Sequence, residues 1–170
     1  MNQECPFCNE EVTNEAFAEG NDCIAIYNHA PIVEGHSLVI PKKHITNLLS
    51  MSDEEYSNIF HFTRKVTAFL TDHYNTPEFD LTIQQGQNAG QSIEHLHLHI
   101  IPRRYNDLPQ GVEWYDKMRA IEGIRREADI EPSHIESGSK GLDSDRKLPP
   151  QVLKKTAADL KKAWDSWILL

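Results

Sequence analysis

Residues 94–102 read EHLHLHIIP, placing His95, His97 and His99 at every second position with Leu96, Leu98 and Ile100 in the gaps. A period of two is that of a β-strand, whose successive side chains point to opposite faces. The stretch therefore predicts a strand with one aliphatic face in a core and one face carrying three imidazoles at ~6.6–6.8 Å spacing. It follows a glycine-rich loop, GQNAGQS. Such strict alternation points to metal binding or catalysis and not to a polar outer face that happens to use histidine.

The rest of the chain supplies neighbours for that strand. AFAE and CIAIYN (23–28) flank the turn signal Gly20-Asn21-Asp22 and predict a hairpin. HSLVIP (36–41) predicts the next strand, starting after Gly35 and stopped by Pro41. Ser52 and Glu55 form an S-x-x-E capping box that opens a helix. Its Tyr56, Ile59, Phe60, Thr63, Val66, Phe69 and Leu70 recur at three- and four-residue spacing as a core-facing stripe, and Asn75, Thr76 and Pro77 end it. FDLTIQQ (79–85) and IEHLHLHII (93–101) predict two strands around the glycine-rich loop. The order β-β-β-α-β-β with short links predicts an α+β domain, an antiparallel sheet of about five strands with one long helix. Beyond it, 112–128 and 151–168 predict helices, separated by a linker over 131–150 rich in Ser, Gly, Asp and Pro. Residues 1–104 are thus expected to form the domain core. Residues 105–170 form a C-terminal helical extension packed on it.

A chain of 170 residues with 39% hydrophobic content is enough for one soluble domain with a proper core. The net charge of −9 is unevenly spread: residues 1–102 hold 4 Lys and Arg against 14 Asp and Glu, and 103–170 hold 13 against 12. An acidic body argues against nucleic acid as a partner, so an anionic ligand must be held by a local site. No apolar run approaches the ~18 residues needed to span a bilayer, and the first residues lack the features of a signal peptide. A cytoplasmic protein without a membrane partner is expected.

Cys5 and Cys8, in CPFC, read as half of a metal site or as a redox pair in a reducing compartment. Cys23, inside a predicted strand, reads as a small buried residue.

HLHLHII matches the H-φ-H-φ-H-φ-φ signature, φ being apolar, of the histidine-triad superfamily of nucleotide hydrolases and transferases. QQGQNAGQSIEHLHLHIIPRR resembles the fragile-histidine-triad branch, which hydrolyses diadenosine polyphosphates. YNHAPIVEGHSLVIPKKH resembles the superfamily's N-terminal strand-turn-strand. The resemblance covers roughly residues 5–104. It implies the histidine-triad fold and a small-molecule nucleotide substrate, cleaved at an α–β phosphoanhydride to release AMP.

In that resemblance His97 is the nucleophile, and a neutral imidazole suits the role at neutral pH. His99 contacts the scissile phosphate and His36 supports the triad. Asn28 matches a ribose-binding position, and Gln84 and Gln91 match ligand-contacting glutamines. The backbone N–H groups of Gly90, Gln91 and Ser92, with the last two side chains, are candidate phosphate donors, since glycine lets backbone approach a phosphate closely.

Several bacterial-type members, and the related galactose-1-phosphate uridylyltransferases, bind zinc through a cysteine pair and two histidines. By that match Cys5, Cys8, His44 and His95 form a structural zinc site. The cysteine pair is a departure from the fragile-histidine-triad branch. Family members also commonly pair as homodimers through the helix and an edge strand.

Other readings share the same residues. Nucleotidyl transfer to phosphate or a sugar phosphate, or nucleoside phosphoramidate hydrolysis, would use the same His97. A catalytic zinc hydrolase is disfavoured because a closed Cys2His2 site leaves no position for water. A non-enzymatic nucleotide sensor is disfavoured because His97 is intact.

Overall fold

The computed structural model describes residues 5–105, 107 and 147–169. A short 3-10 turn at Pro6–Cys8 and the brief helix α1 (Glu10–Asn14) lead into the sheet. Its strands are β1 (Ala18–Glu19), β2 (Cys23–Tyr27), β3 (Ser37–Pro41), β4 (Glu78–Ile83) and β5 (Leu98–Arg103). They lie in the order β1-β2-β3-β5-β4, all pairings antiparallel. The long helix α2 (Asp53–His73) enters between β3 and β4, and α3 (Pro150–Trp167) ends the described chain. This is the α+β architecture expected. Among the described residues no helix is long and apolar enough to cross a membrane.

Both faces of β2 and β3 are buried, which is why these strands are apolar almost throughout. Ala25, Val39, Leu98 and Ile100 face the main core under α2. Ile24, Ile26, Leu38 and Ile40 face a second, smaller cluster covered by Phe7 and Val12. His99 stands opposite Leu38, and Leu38 opposite Ile26, so the third triad histidine belongs to this second face.

The capping box forms as predicted, with Ser52 and Glu55 each satisfying the other's backbone N–H. The stripe of α2 is rotated from the one expected: Tyr56 is 47% exposed, whereas Phe62 and Thr67 are buried with Ile59, Thr63, Val66, Phe69 and Leu70. The reason is α3, whose Trp164 packs edge-on against Phe62 and Phe69, at ring-centroid distances of 6.2 and 5.3 Å. Its Leu153, Ala157, Leu160 and Trp164 form the buried side. The helix expected over 112–128, and most of the 131–150 linker, lie outside the described residues.

The triad strand is also shorter at its start than expected. It begins at Leu98, so His95 and His97 lie ahead of it and only His99 is on the ladder. The Leu96 N–H donates to the Ile45 carbonyl (2.6 Å) beyond the end of β3, and the His95 N–H turns back to Ile93 (2.7 Å). The alternation survives as a choice of side, since Leu96, Leu98 and Ile100 all enter the main core while the three histidines, equally buried, stay out of that cluster. β4 likewise ends at Ile83, because the Gln85 side chain bonds the Leu48 N–H and the Thr46 carbonyl instead of continuing a strand.

Candidate functional site

The three triad histidines and His36 are all buried, and their hydrogen bonds assign their protons. The Ile32 N–H can only donate, so Nδ1 of His36, 3.3 Å away, holds a lone pair. The ring proton of His36 is therefore on Nε2, which donates to Nδ1 of His99 at 2.9 Å. His99 must then carry its own proton on Nε2. Asn28 Nδ2 lies 3.2 Å from the same Nε2, but two donors cannot share one bond. The Ile32 amide decides the tautomer, and the Asn28 amide packs against the ring. Asn28 Oδ1 is held by the Ala30 N–H at 2.9 Å, which fixes that orientation.

His97 follows similar logic. Its Nδ1 lies 2.7 Å from the His95 carbonyl, an acceptor, so the proton is on Nδ1 and the lone pair on Nε2. Burial first, then the neighbouring His99 and His97, holds His36 well below the ordinary histidine value. His36 is thus kept neutral, as its donation to His99 requires.

His97 and His99 line a cleft of about 410 Å³, a small-ligand size. Its apolar side is Phe7, Val12, Ile26 and Leu38, and its polar side includes Asn28, Ser92 and Lys147. A larger hollow, about 700 Å³, lies between Lys42, Lys43 and the start of α2 and contains no triad residue.

The glycine-rich loop is arranged differently from the expectation. Gly86 and Gly90 have φ of 84° and 109°, a region that favours glycine, and they fold the loop onto itself. The Gly90 N–H donates to Gln87 and the Gln91 N–H to Gly86, at 3.1 and 3.2 Å. Gln91 Oε1 accepts from the Gly86 N–H (2.7 Å) and from Gln85 Nε2 (3.2 Å). Gly90 and Gln91 therefore close the loop with groups expected to face a phosphate, while Ser92 lines the cleft. Gln84 is 6% exposed, and its Oε1 has no hydrogen-bond partner among the described residues. Such an acceptor is costly to leave unmet and suits a donor from a ligand or water.

Cys5, Cys8, His44 and His95 converge beside this cleft, with their ligand atoms all within 4.8 Å of one another. Cys8 Sγ lies 3.3 Å from His44 Nδ1, and His95 Nδ1 lies 3.4 and 3.6 Å from the two sulfurs. Tetrahedral bonds of about 2.3 Å to sulfur and about 2.0–2.1 Å to nitrogen give edges of roughly 3.5 Å, so the cluster fits a metal of that size. His95 Nε2 donates to the Pro41 carbonyl at 2.9 Å, which leaves Nδ1 as the coordinating nitrogen. Burial keeps its ring below the ordinary value, favouring the neutral form a metal needs. Cys23 stands apart, buried in β2, its thiol pushed up to about 11 chiefly by burial.

Phe7 and Lys147 are among the cleft residues that the sequence does not single out. Phe7 packs edge-on against His97 and His95, at 5.4 and 5.8 Å, and its signal was its place between the two cysteines. Lys147 arrives from the C-terminal extension, and no local motif marks it.

A profile for the HIT domain matches residues 9–106. A bis(5'-adenosyl)-triphosphatase of Dictyostelium discoideum is 28% identical over 134 residues, 75% of this chain and 90% of that protein. A bis(5'-nucleosyl)-tetraphosphatase (asymmetrical) of Schizosaccharomyces pombe is 30% identical over 123 residues, 72% of this chain and 68% of that one. The crystal structure of a Zn-bound histidine triad family protein from Mycobacterium smegmatis has the same fold, with a TM-score of 0.62 at 20% identity over 96% of this chain and 95% of that one. The domain profile spans more than half of the residues, and the chain belongs to the HIT domain family.

Proposed function

We propose that this protein hydrolyses a nucleotide at its α–β phosphoanhydride, releasing AMP from a diadenosine polyphosphate-like substrate through a nucleotidyl-His97 intermediate. The observation that carries the reading is the 2.7 Å contact from His97 Nδ1 to the His95 carbonyl, which puts the lone pair on Nε2 of a cleft residue. That nitrogen attacks the α-phosphorus, forming a P–N bond as the bridging P–O bond breaks. The Nε2–H of His99, set by His36, donates a hydrogen bond to the phosphoryl or departing oxygen, where negative charge grows. Water then attacks the same phosphorus from the opposite side. The P–N bond breaks, His97 regains its lone pair, and the proton lost from water passes to solvent.

Asn28, on the polar side of the cleft, is the proposed ribose contact, and Gln84 Oε1 an acceptor for the bound ligand. The names of the relatives, an adenosyl triphosphatase and a nucleosyl tetraphosphatase, support this substrate class. We assign Cys5, Cys8, His44 and His95 to a structural zinc, which would tie the N-terminal loop to the backbone beside His97. Four protein ligands leave no open position, so the chemistry falls to histidine. β4 lies at the edge of the sheet with Phe79 and Leu81 exposed, which supports a homodimer.

The test is the stereochemistry at phosphorus. Two in-line displacements give net retention on a chiral α-phosphorothioate substrate, and solvent oxygen-18 appears in AMP. His97→Ala should cut turnover by several orders of magnitude. Inversion, or near-normal turnover in that variant, would remove His97 from this role.

A further inference from the structure

Lys147 is placed where the domain core has no cation to offer. It lines the cleft with His97, His99, Asn28 and Ser92, yet belongs to the extension after the sheet. Among the described residues lining that cleft it is the only one with a fixed positive charge.

Its position is anchored by the residues that follow it. The next residue, Leu148, donates its N–H to the His29 carbonyl at 2.9 Å, tying the segment to the turn that holds Asn28. Leu148 packs against the main core, and two residues further on α3 begins, docked through Leu153, Leu160 and Trp164. The backbone that follows Lys147 is therefore held, while the lysine side chain is exposed. Among the described residues it makes no ion pair.

The electrostatics call for such a group. Residues 1–102 carry 14 acidic against 4 basic residues, a poor field for a polyphosphate. Two loop amides that could have cradled phosphate, those of Gly90 and Gln91, donate within their own loop. His36 is kept neutral by burial.

We infer that Lys147 is a specificity-determining residue that binds the phosphoryl oxygens beyond the α-phosphorus, selecting substrates with an anionic polyphosphate leaving group. This rests on the nucleotide-hydrolase reading of the same cleft. A lysine on a flexible stem suits the task, because as a point charge it tolerates polyphosphates of different length.

The experiment compares wild type, Lys147→Ala and Lys147→Arg in the full chain, with two readouts. The first is the ratio of kcat/KM for diadenosine triphosphate to that for adenosine 5'-phosphoramidate, whose leaving group is uncharged. The second is the ratio of ADP to AMP affinity, which needs no turnover. Losing one charge-assisted contact should lower both ratios about tenfold in Lys147→Ala, and Lys147→Arg should restore most of each. Ratios unchanged in Lys147→Ala overturn the inference, as does an equal loss on both members of each pair. If the wild type turns over neither substrate, the hydrolase reading fails, and the ADP to AMP ratio still decides for or against Lys147.

Discussion

Nε2 of His36 stands 2.9 Å from Nδ1 of His99, and neither ring has appreciable contact with solvent. The Ile32 N–H at the far side of His36 makes the pair directional, with every proton pointing towards the cleft. Such a chain works only while His36 is neutral, because a second proton would have to displace the Ile32 amide.

This has a consequence for stability. In the folded protein, burial and the neighbouring imidazoles hold His36 well below its ordinary value, whereas in the unfolded chain it titrates near ~6.5. Below that pH the unfolded state binds the extra proton, so stability is present above it and is lost as pH falls. His95 is shifted in the same direction, so the informative quantity is a difference between proteins. His36→Gln should lose less stability than wild type between pH 6.5 and 5, the gap approaching ~1.4 kcal/mol per pH unit. Denaturant unfolding across that range checks it. Parallel curves would remove His36 as the neutral buried group.

Much of this site was legible because it is local. The period-two pattern from Leu96 to Ile100 records a real alternation of faces, with the aliphatic residues in the main core and the buried histidines outside that cluster, and the motif around it identified the family. What the pattern could not record is where the ladder begins. The Leu96 amide pairs with Ile45, a contact of long sequence separation set by tertiary packing. The Tyr56 misplacement has the same origin, since a helix stripe is defined by what covers it. Here Trp164, about a hundred residues later, draws Phe62 inward. The loop glycines were visible as glycines, but the direction of the Gly90 and Gln91 amides depends on how the turn closes.

The cluster of Cys5, Cys8, His44 and His95 makes a direct prediction. The purified protein should hold about one zinc per chain, measured by elemental analysis. Cys5→Ala should lose it and melt lower, by about 4–8 °C if the lost ligation is worth ~2 kcal/mol. Cys23→Ala is the control, because that thiol is buried in β2 and lies outside the cluster, so its metal content should match wild type. Full zinc in Cys5→Ala would overturn the ligand set.

The last prediction concerns the two edges of the sheet, which are unlike each other. β1 has two residues, too few to template another strand. β4 has six, pairs among the described residues with β5 alone, and shows Phe79 and Leu81 at 46% and 43% exposure. Those two residues are two apart and so share a face, giving a second chain both unpaired backbone and an apolar row to cover. A two-fold axis beside β4 satisfies this with one operation, since antiparallel pairing of β4 with its own copy is self-complementary and leaves no new edge. Wild type should therefore run as a dimer at micromolar concentration by light scattering coupled to size exclusion. Leu81→Lys should shift it to monomer, because a lysine there must either lose its hydration or hold the strands apart, while α2 and the main core are left intact. A wild-type monomer, or a Leu81→Lys protein that stays dimeric, places the dimer contact elsewhere or abolishes it.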